Sequence, residues 1–331
     1  MNVEHNLTDT LYAMHDAYTG MSARYERMKR GNLFMRHIGL LPCKLKKKLL
    51  MDKIRAVYER ADSLPALSGD SGIVVSLTSF PARVKGLHLV IRSLLTQTLL
   101  PGKIVLYLSA DEFPRREADL PSTLLDMTRL GLEVRFEDGN LRSHKKYHYA
   151  FSDFPDSIVI TVDDDIIYPQ YTIQRLMELH MRHPDAVCAN IIRVIGFENG
   201  RFKPYKQWTK YTQGNESCSK FNTAIGCGGV LYPPRWYDDT LFDTGTAMRL
   251  SPYADDLWLK AHQLRRSVSV AFPGKYFPKP IELPGTERSS LQRRNNSHKN
   301  MNDTQWEMMD REFGLTEIAT RLTETADKTN I

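Results

Sequence analysis

Two acidic stretches in this chain carry residue types that could do chemistry. The first is "SIVITVDDDIIYP", in which Asp163, Asp164 and Asp165 directly follow an apolar, β-branched run. The second is "SPYADDLWLKAHQL", in which Asp255 and Asp256 stand just ahead of a helix-periodic apolar segment. Adjacent carboxylates repel, and an apolar strand tolerates them at its end only when they are solvated or paired. Side chains alternate along an extended strand, so Asp163 and Asp165 face one way and Asp164 the other, toward the scaffold. An Asp-x-Asp pair so placed can present two carboxylates to one metal–phosphate unit, the arrangement in which Mg2+ is commonly held. Each stretch also has a purely structural reading. Aspartate is a favoured turn residue, and acids at a helix start are favourable through capping and the helix dipole alone.

The elements that would position these acids alternate. "GIVVSLTSF", "KIVLYLS" and "SIVITV" read as short buried strands, and "AVCANIIRVI" as a further strand. Between them, "ARVKGLHLVIRSLLTQT" places Val84, Leu87, Ile91, Leu94 and Leu95 on one helical face. "SHKKYHYAFSDF" has the length of a helix, and "YTIQRLMELHMRH" reads as another, closed by Pro184. The expected fold class is therefore α/β: a mixed, mainly parallel sheet flanked by helices. Ligands in such sheets sit at the carboxyl ends of the strands. "TSFPAR" and the three aspartates fall there.

The bulk properties narrow the partners. The 331 residues carry a net charge of +6, which favours anionic partners without choosing among phosphates, nucleic acid and acidic lipid. Cys43, Cys188, Cys218 and Cys227 form no C-x-x-C pair and read as reduced thiols of a cytoplasmic protein. No apolar run is long enough to span a bilayer, and "MNVEHNLTDT" has no signal-peptide character. The segment from Arg24 to Arg60 is rich in Lys, Arg, Leu and Met. It reads as two helices broken near "GLLP" by Gly39 and Pro42. Two readings of it stay open: a solvated extension packed on the main domain, or attachment to an anionic membrane face. The expected division is a basic helical extension over 1–70, with "SLPALSGDSG" as linker, a main domain over 71–315 and a tail over 316–331.

"SLTSFPAR", "SHKKYHYA", "VITVDDDIIYP" and "YADDLWLKAHQL", in that order, resemble a bacterial glycosyltransferase of the GT-A fold. The resemblance is narrower to the family-2-like enzymes that build lipopolysaccharide and capsular polysaccharide. It covers roughly residues 71 to 310. It implies a Rossmann-like nucleotide-sugar-binding domain that moves a sugar from a nucleotide sugar, with UDP as the expected carrier. The implied acceptor is a glycan or lipid-linked glycan at the cytoplasmic face of the inner membrane, with peripheral membrane association and no nucleic acid partner. Asp165 and Asp163 would then ligate Mn2+ or Mg2+, with Asp163 also near the ribose. Asp164 is grouped with the donor-binding residues, although alternation turns it away. Asp256 is the expected base and Asp255 its acceptor-binding or orienting neighbour. Thr78, Pro81 and Arg83 would meet the nucleotide, and Lys145 the diphosphate. The late His298 would join the metal or diphosphate, with Arg293 or Arg294 closing over the phosphates. The second strand ends "LYLSADEF" where the wider family carries "VDDGS", so Asp111 is the candidate stand-in for the base contact. Gly226, Gly228 and Gly229 could admit a ligand or simply turn the chain. Trp236 and Trp258 could pack on a sugar face or simply belong to the core, and Asn302 and Asp303 read as a helix cap.

Two readings from other classes compete. A metal-dependent phosphoesterase or nuclease would also use clustered carboxylates. A non-catalytic basic adaptor would bind membrane or nucleic acid through its N-terminal segment, with strong salt dependence.

Overall fold

A computed structural model of the chain describes residues 2–30, 33–60, 64–69, 71–283 and 300–329. The N-terminal residues form a helical hairpin, α1 (Asn2–Arg30) and α2 (Leu33–Arg60). α2 runs through Gly39 and Pro42, so the expected break near "GLLP" is not there. The reason is packing. A Cβ at Gly39 would lie 2.3 Å from Met28 Cε of α1, so the helices approach closely at this glycine. The lost proline hydrogen bond is outweighed by a hairpin that buries Leu11, Tyr18, Ile54 and Tyr58 completely or nearly so.

The strand–helix alternation follows. β1 (Ile73–Thr78), α3 (Leu87–Leu95), β2 (Lys103–Ser109) and the short α4 (Ser122–Leu125) lead to β3 (Leu132–Glu137). Then come α5 (Lys145–Asp153), β4 (Ile158–Thr161), β5 (Ile166–Ile167) and α6 (Thr172–Arg182). "AVCANIIRVI" is two strands, not one: β6 (Val187–Ala189) and β7 (Ile192–Val194) belong to different sheets. β8 (Phe197–Glu198), β9 (Arg201–Phe202), β10 (Thr209–Tyr211), β11 (Ser217–Ser219), β12 (Asn222–Ala224) and β13 (Val230–Tyr232) come next. The chain closes with α7 (Thr244–Leu250), α8 (Asp255–Arg265), β14 (Val270–Phe272), β15 (Ile281–Glu282), α9 (Met301–Phe313) and α10 (Leu315–Thr329).

The main sheet has eight strands in the order β11-β14-β6-β13-β4-β1-β2-β3. β4, β1, β2 and β3 run parallel, as do β6 and β14, while β13 is inserted antiparallel between β4 and β6. The expected class, a mixed and mainly parallel sheet flanked by helices with a helical N-terminal extension, is the one observed. Alternation sorts the core into two layers. Ile73, Val75, Leu77, Ile104, Leu106 and Ile160 face α1, α2, α3 and α6. Val74, Val105, Tyr107 and Val159 face α5, α7, α8 and α9. Each fully buried aliphatic side chain contributes about 1.5–3 kcal/mol, so register errors in these strands are costly. α10 joins the second layer through the fully buried Leu315, with Ile318 and Leu322 packed against it.

The hairpin also holds β15. The Tyr18 hydroxyl donates to the Lys279 carbonyl at 2.8 Å, and the Arg55 guanidinium donates to the Glu282 carbonyl. β15 pairs antiparallel with β5, and Leu283 N–H donates to the Asp165 carbonyl at 2.8 Å. The N-terminal helices therefore brace the strand that flanks the acidic loop.

Candidate functional site

The loop acids lie between β4 and β5, at the carboxyl end of the central strands. Parallel pairing continues one residue past β4, where Val162 N–H donates to the Ser76 carbonyl at 3.0 Å. The chain then turns, and Asp163 N–H donates to the Tyr168 hydroxyl at 2.8 Å. Asp164 is buried and accepts from the Ser79 hydroxyl at 2.6 Å and from Arg83 at 2.7 Å. The same Arg83 guanidinium reaches Asp165 at 3.1 Å. One arginine from the turn after β1 thus fixes two of the three acids.

The helix acids approach from the other side of the sheet's carboxyl edge. Asp255 and Asp256 occupy the first turn of α8, and neither is spent on capping it. The Asp255 carboxylate meets the Lys146 ammonium at 3.0 Å. The Asp256 carboxylate accepts from Gly226 N–H at 3.1 Å. Lys146 also meets Asp163 at 2.8 Å, so one buried lysine joins the two acid pairs. Its backbone is pinned in turn, since the Ser76 hydroxyl of β1 donates to the Lys146 carbonyl at 2.5 Å. Gly226 marks the point of convergence. A Cβ built there would lie 3.2 Å from Asp256 Oδ1, 3.3 Å from Asp163 Oδ1 and 3.4 Å from Lys146 Nζ. Gly229, at φ 77°, then turns the chain into β13 in a conformation that favours glycine.

Other expected residues fall elsewhere. Lys145 is buried, with Asn140 at 3.1 Å and Glu112 at 3.4 Å, and Lys146 rather than Lys145 enters the acid cluster. Neither lysine is merely solvated, because both sit on the inward face of α5. The Thr78 hydroxyl donates to the Tyr107 carbonyl at 2.7 Å, a bond between strands β1 and β2. Asp111 is exposed in the turn after β2. Trp236 and Trp258 are core. Asp303 accepts from Tyr205 N–H at 2.5 Å, and the residue before α9 is Asn300, so Asp303 ties α9 to a loop instead of capping the helix. His298, Arg293 and Arg294 lie outside the described residues.

No protein-family model and no curated protein matches the chain. Among solved structures it is similar to residues 1–349 of S. aureus TarS, with a TM-score of 0.43 and 14% identity over 73% of this chain and 72% of that one. It is also similar to CMP:2-keto-3-deoxy-manno-octonic acid synthetase complexed with CTP, at TM-score 0.39 and 10% identity, covering 69% and 97% of the two chains. A third is UTP-bound UGPase from Acinetobacter baumannii, at TM-score 0.39 and 8% identity, covering 69% and 94%. At these values the likenesses assign no activity, and the chemistry rests on the residues themselves.

Asp163, Asp164, Asp165, Asp255 and Asp256 share two close cations, Arg83 and Lys146. Burial opposes the charge of Lys146, but Asp163, Asp255 and Asp256 outweigh it and hold the ammonium well above its usual range. Burial likewise opposes Asp255, yet Lys146 and His144 keep its carboxyl below the ordinary value. The excess negative charge falls on the neighbours. Burial and then Asp255 push Asp256 up to about 7, against the pull of Lys146. Burial and then Asp163 push Asp165 up to about 7, against Arg83.

A divalent cation fits this donor set. The ligands on offer are hard carboxylate oxygens, which suit Mg2+ or Mn2+, and the cluster carries more negative charge than its own cations neutralise. Asp163 and Asp165 are the more open of the three loop acids, with 30% and 16% of their side chains exposed against 7% for Asp164. Among the described residues no group of three or more His, Cys, Asp or Glu side chains is arranged to hold a metal by itself.

Proposed function

We propose that the chain is a metal-dependent, inverting glycosyltransferase of the GT-A type. It moves a sugar from a nucleotide sugar, with UDP as the expected carrier, to a hydroxyl of a bacterial surface glycan, either lipopolysaccharide or capsule. The observation that carries this reading is the meeting of the two acid pairs, far apart in sequence, around Lys146 and Gly226. A nuclease-like reading explains clustered acids but gives no role to a second pair tied to the first by a lysine.

Asp163 and Asp165 would hold Mn2+ or Mg2+, which when bound neutralises the charge developing on a leaving diphosphate. Asp256 takes the proton from the acceptor hydroxyl. A base with a value near 7 is matched to that task, being partly ionised at neutral pH yet basic enough to accept a proton. Asp255 and Lys146 position it. The ammonium bonded to both Asp163 and Asp255 fixes the distance between the donor end and the acceptor end of the site, which is what in-line displacement needs. Arg83 locks the loop from behind. No covalent intermediate is required. Cys227, near Asp163, Asp165 and Asp256, is no candidate nucleophile, because burial pushes its thiol up to about 12. We assign this chemistry to residues 71–315, with a lipid-linked glycan at the cytoplasmic face of the inner membrane as the acceptor.

The test is calorimetric titration of UDP-sugars into the protein with and without Mn2+. The reading expects one donor to bind in a Mn2+-dependent manner, with loss of that binding in Asp165→Asn. Metal-independent binding that survives the substitution would rule out Asp165 as a metal ligand.

A further inference from the structure

Most large apolar side chains of the described residues are inside, and half of the exposed exceptions lie on one helix. Leu41, Leu45 and Leu49 of α2 are 64%, 54% and 59% exposed. They stand four residues apart. At 3.6 residues per turn they fall within about 80° of one another on a single stripe. The packed side of α2, marked by Cys43, Ile54 and Tyr58, lies on the opposite side of the helix. The leucines are therefore not part of the core, which α2 serves with its other face.

Lysines border the stripe on both sides. By the same helical spacing Lys44 and Lys48 fall along one edge, and Lys46 and Lys53 along the other; all four are exposed. Lys47 differs from them, since it turns inward over the Tyr18 ring at 5.1 Å. Asp52, paired with Arg55 at 3.1 Å, lies near the end of the leucine run. An apolar stripe between two rows of ammonium groups is suited to lying flat in a membrane interface. Leucines can enter the acyl boundary while lysines meet lipid phosphates. No helix among the described residues is long and apolar enough to cross a membrane, so any such contact is with one face.

We propose that Leu41, Leu45 and Leu49, with Lys44, Lys46, Lys48 and Lys53, form a docking face for an anionic phospholipid surface. Charge complementarity selects this occupant. A second copy of the same face would set lysine rows against lysine rows, and like charges across an interface are costly. The proposal does not depend on the reaction assigned above, because lipid binding is measured without any donor. It does give the N-terminal hairpin a second task. The helix that would touch lipid also holds the Glu282 carbonyl through Arg55, one residue from the Leu283 amide bonded to Asp165. Docking on this face would keep the acidic loop close to a lipid-borne acceptor.

The test uses the full chain and vesicles of phosphatidylcholine with and without phosphatidylglycerol, read by co-sedimentation. Wild type should bind the anionic vesicles and release them at high salt. Replacing Lys44, Lys46, Lys48 and Lys53 with Gln should weaken binding by roughly 100-fold or more, since each basic residue near the surface adds about 1 kcal/mol. Leu41→Ser, Leu45→Ser and Leu49→Ser together should abolish binding while leaving the circular dichroism melt unchanged, because all three side chains are exposed. Equal binding to neutral vesicles, or unchanged binding by either variant, would overturn the proposal. So would light scattering that shows a dimer which the leucine variant alone converts to a monomer, since the stripe would then be a contact between copies.

Discussion

The loop acids and the helix acids solve the same electrostatic problem with different access. In each set a fixed cation takes one carboxylate and leaves a neighbour to absorb the excess charge. Arg83 is closest to Asp164, and Asp165 beside it rises to about 7. Lys146 bonds Asp255, and Asp256 beside it rises to about 7. The partners of the raised acids differ. Asp165 shares an arginine and sits on a loop, braced by β15. Asp256 is held by the Gly226 N–H at the start of a helix. Such unlike settings suit a division of labour. In the proposed reaction the loop acid, raised by burial and then by like charge, would receive a cation, and the helix acid fixed by one amide would receive a proton.

The largest blow to this arrangement is the loss of the lysine common to both sets. Lys146→Met should destabilise the fold by about 3–5 kcal/mol, because buried carboxylates lose their partner, and should abolish turnover. Urea denaturation checks the first outcome. Adding Asp255→Asn should restore part of the stability without restoring activity; full recovery of activity would deny Lys146 its bridging role.

Single replacements then separate the two sets. Asp256→Asn should lower kcat by roughly 100-fold to 10,000-fold, the range for a lost general base, while leaving Mn2+-dependent donor binding intact. Asp165→Asn should instead weaken donor binding, by about a hundredfold, and remove its metal dependence. Equal effects of the two replacements on donor affinity would collapse the distinction.

The pH response has a definite sign. Asp256 is protonated below about 7 and only its ionised form accepts a proton, so kcat/KM should rise with pH through about 7 and then level off. Stability should move the other way. A carboxyl raised above its ordinary value near 3.8 contributes stability that is complete below that value and lost as pH rises through about 7. Thermal melts of the metal-free protein should show Asp256→Asn more stabilising at pH 8 than at pH 5. The smallest effect is expected for Gly226→Ala. Its methyl group would press on Asp256, Asp163 and Lys146 at 3.2–3.4 Å and should lower kcat by about tenfold with little change in melting temperature.

Much of this was legible in the residues. Strand alternation and helical periodicity carried the sheet class, because both faces of the sheet are buried and most inward positions are apolar, with Ser76 and Thr161 as exceptions. The acid clusters were visible because carboxylates at the end of an apolar strand demand an explanation. Lys146 was missed because both adjacent lysines face inward and sequence alone does not say which of them reaches the acids. The signal was there in principle: Ala150, four residues on, lies on the buried face of α5 with Tyr147 and Phe151. The continuity of α2 was also missed. Gly39 and Pro42 are helix breakers in isolation, and the packing of Gly39 against Met28 that makes the glycine useful is a tertiary fact. The role of Arg55 in holding β15 has no local signature at all.

Glycosyl transfer as the activity is best probed by release of nucleoside diphosphate from a panel of nucleotide sugars, with and without Mn2+, in the presence of bacterial glycan extract. The expected outcome is metal-dependent release from one donor, retained in the exposed-leucine variant assayed with a detergent-solubilised acceptor and lost in both Asp165→Asn and Asp256→Asn. Release that persists in Asp256→Asn, or no release from any nucleotide sugar while phosphate is freed from nucleic acid, would contradict it.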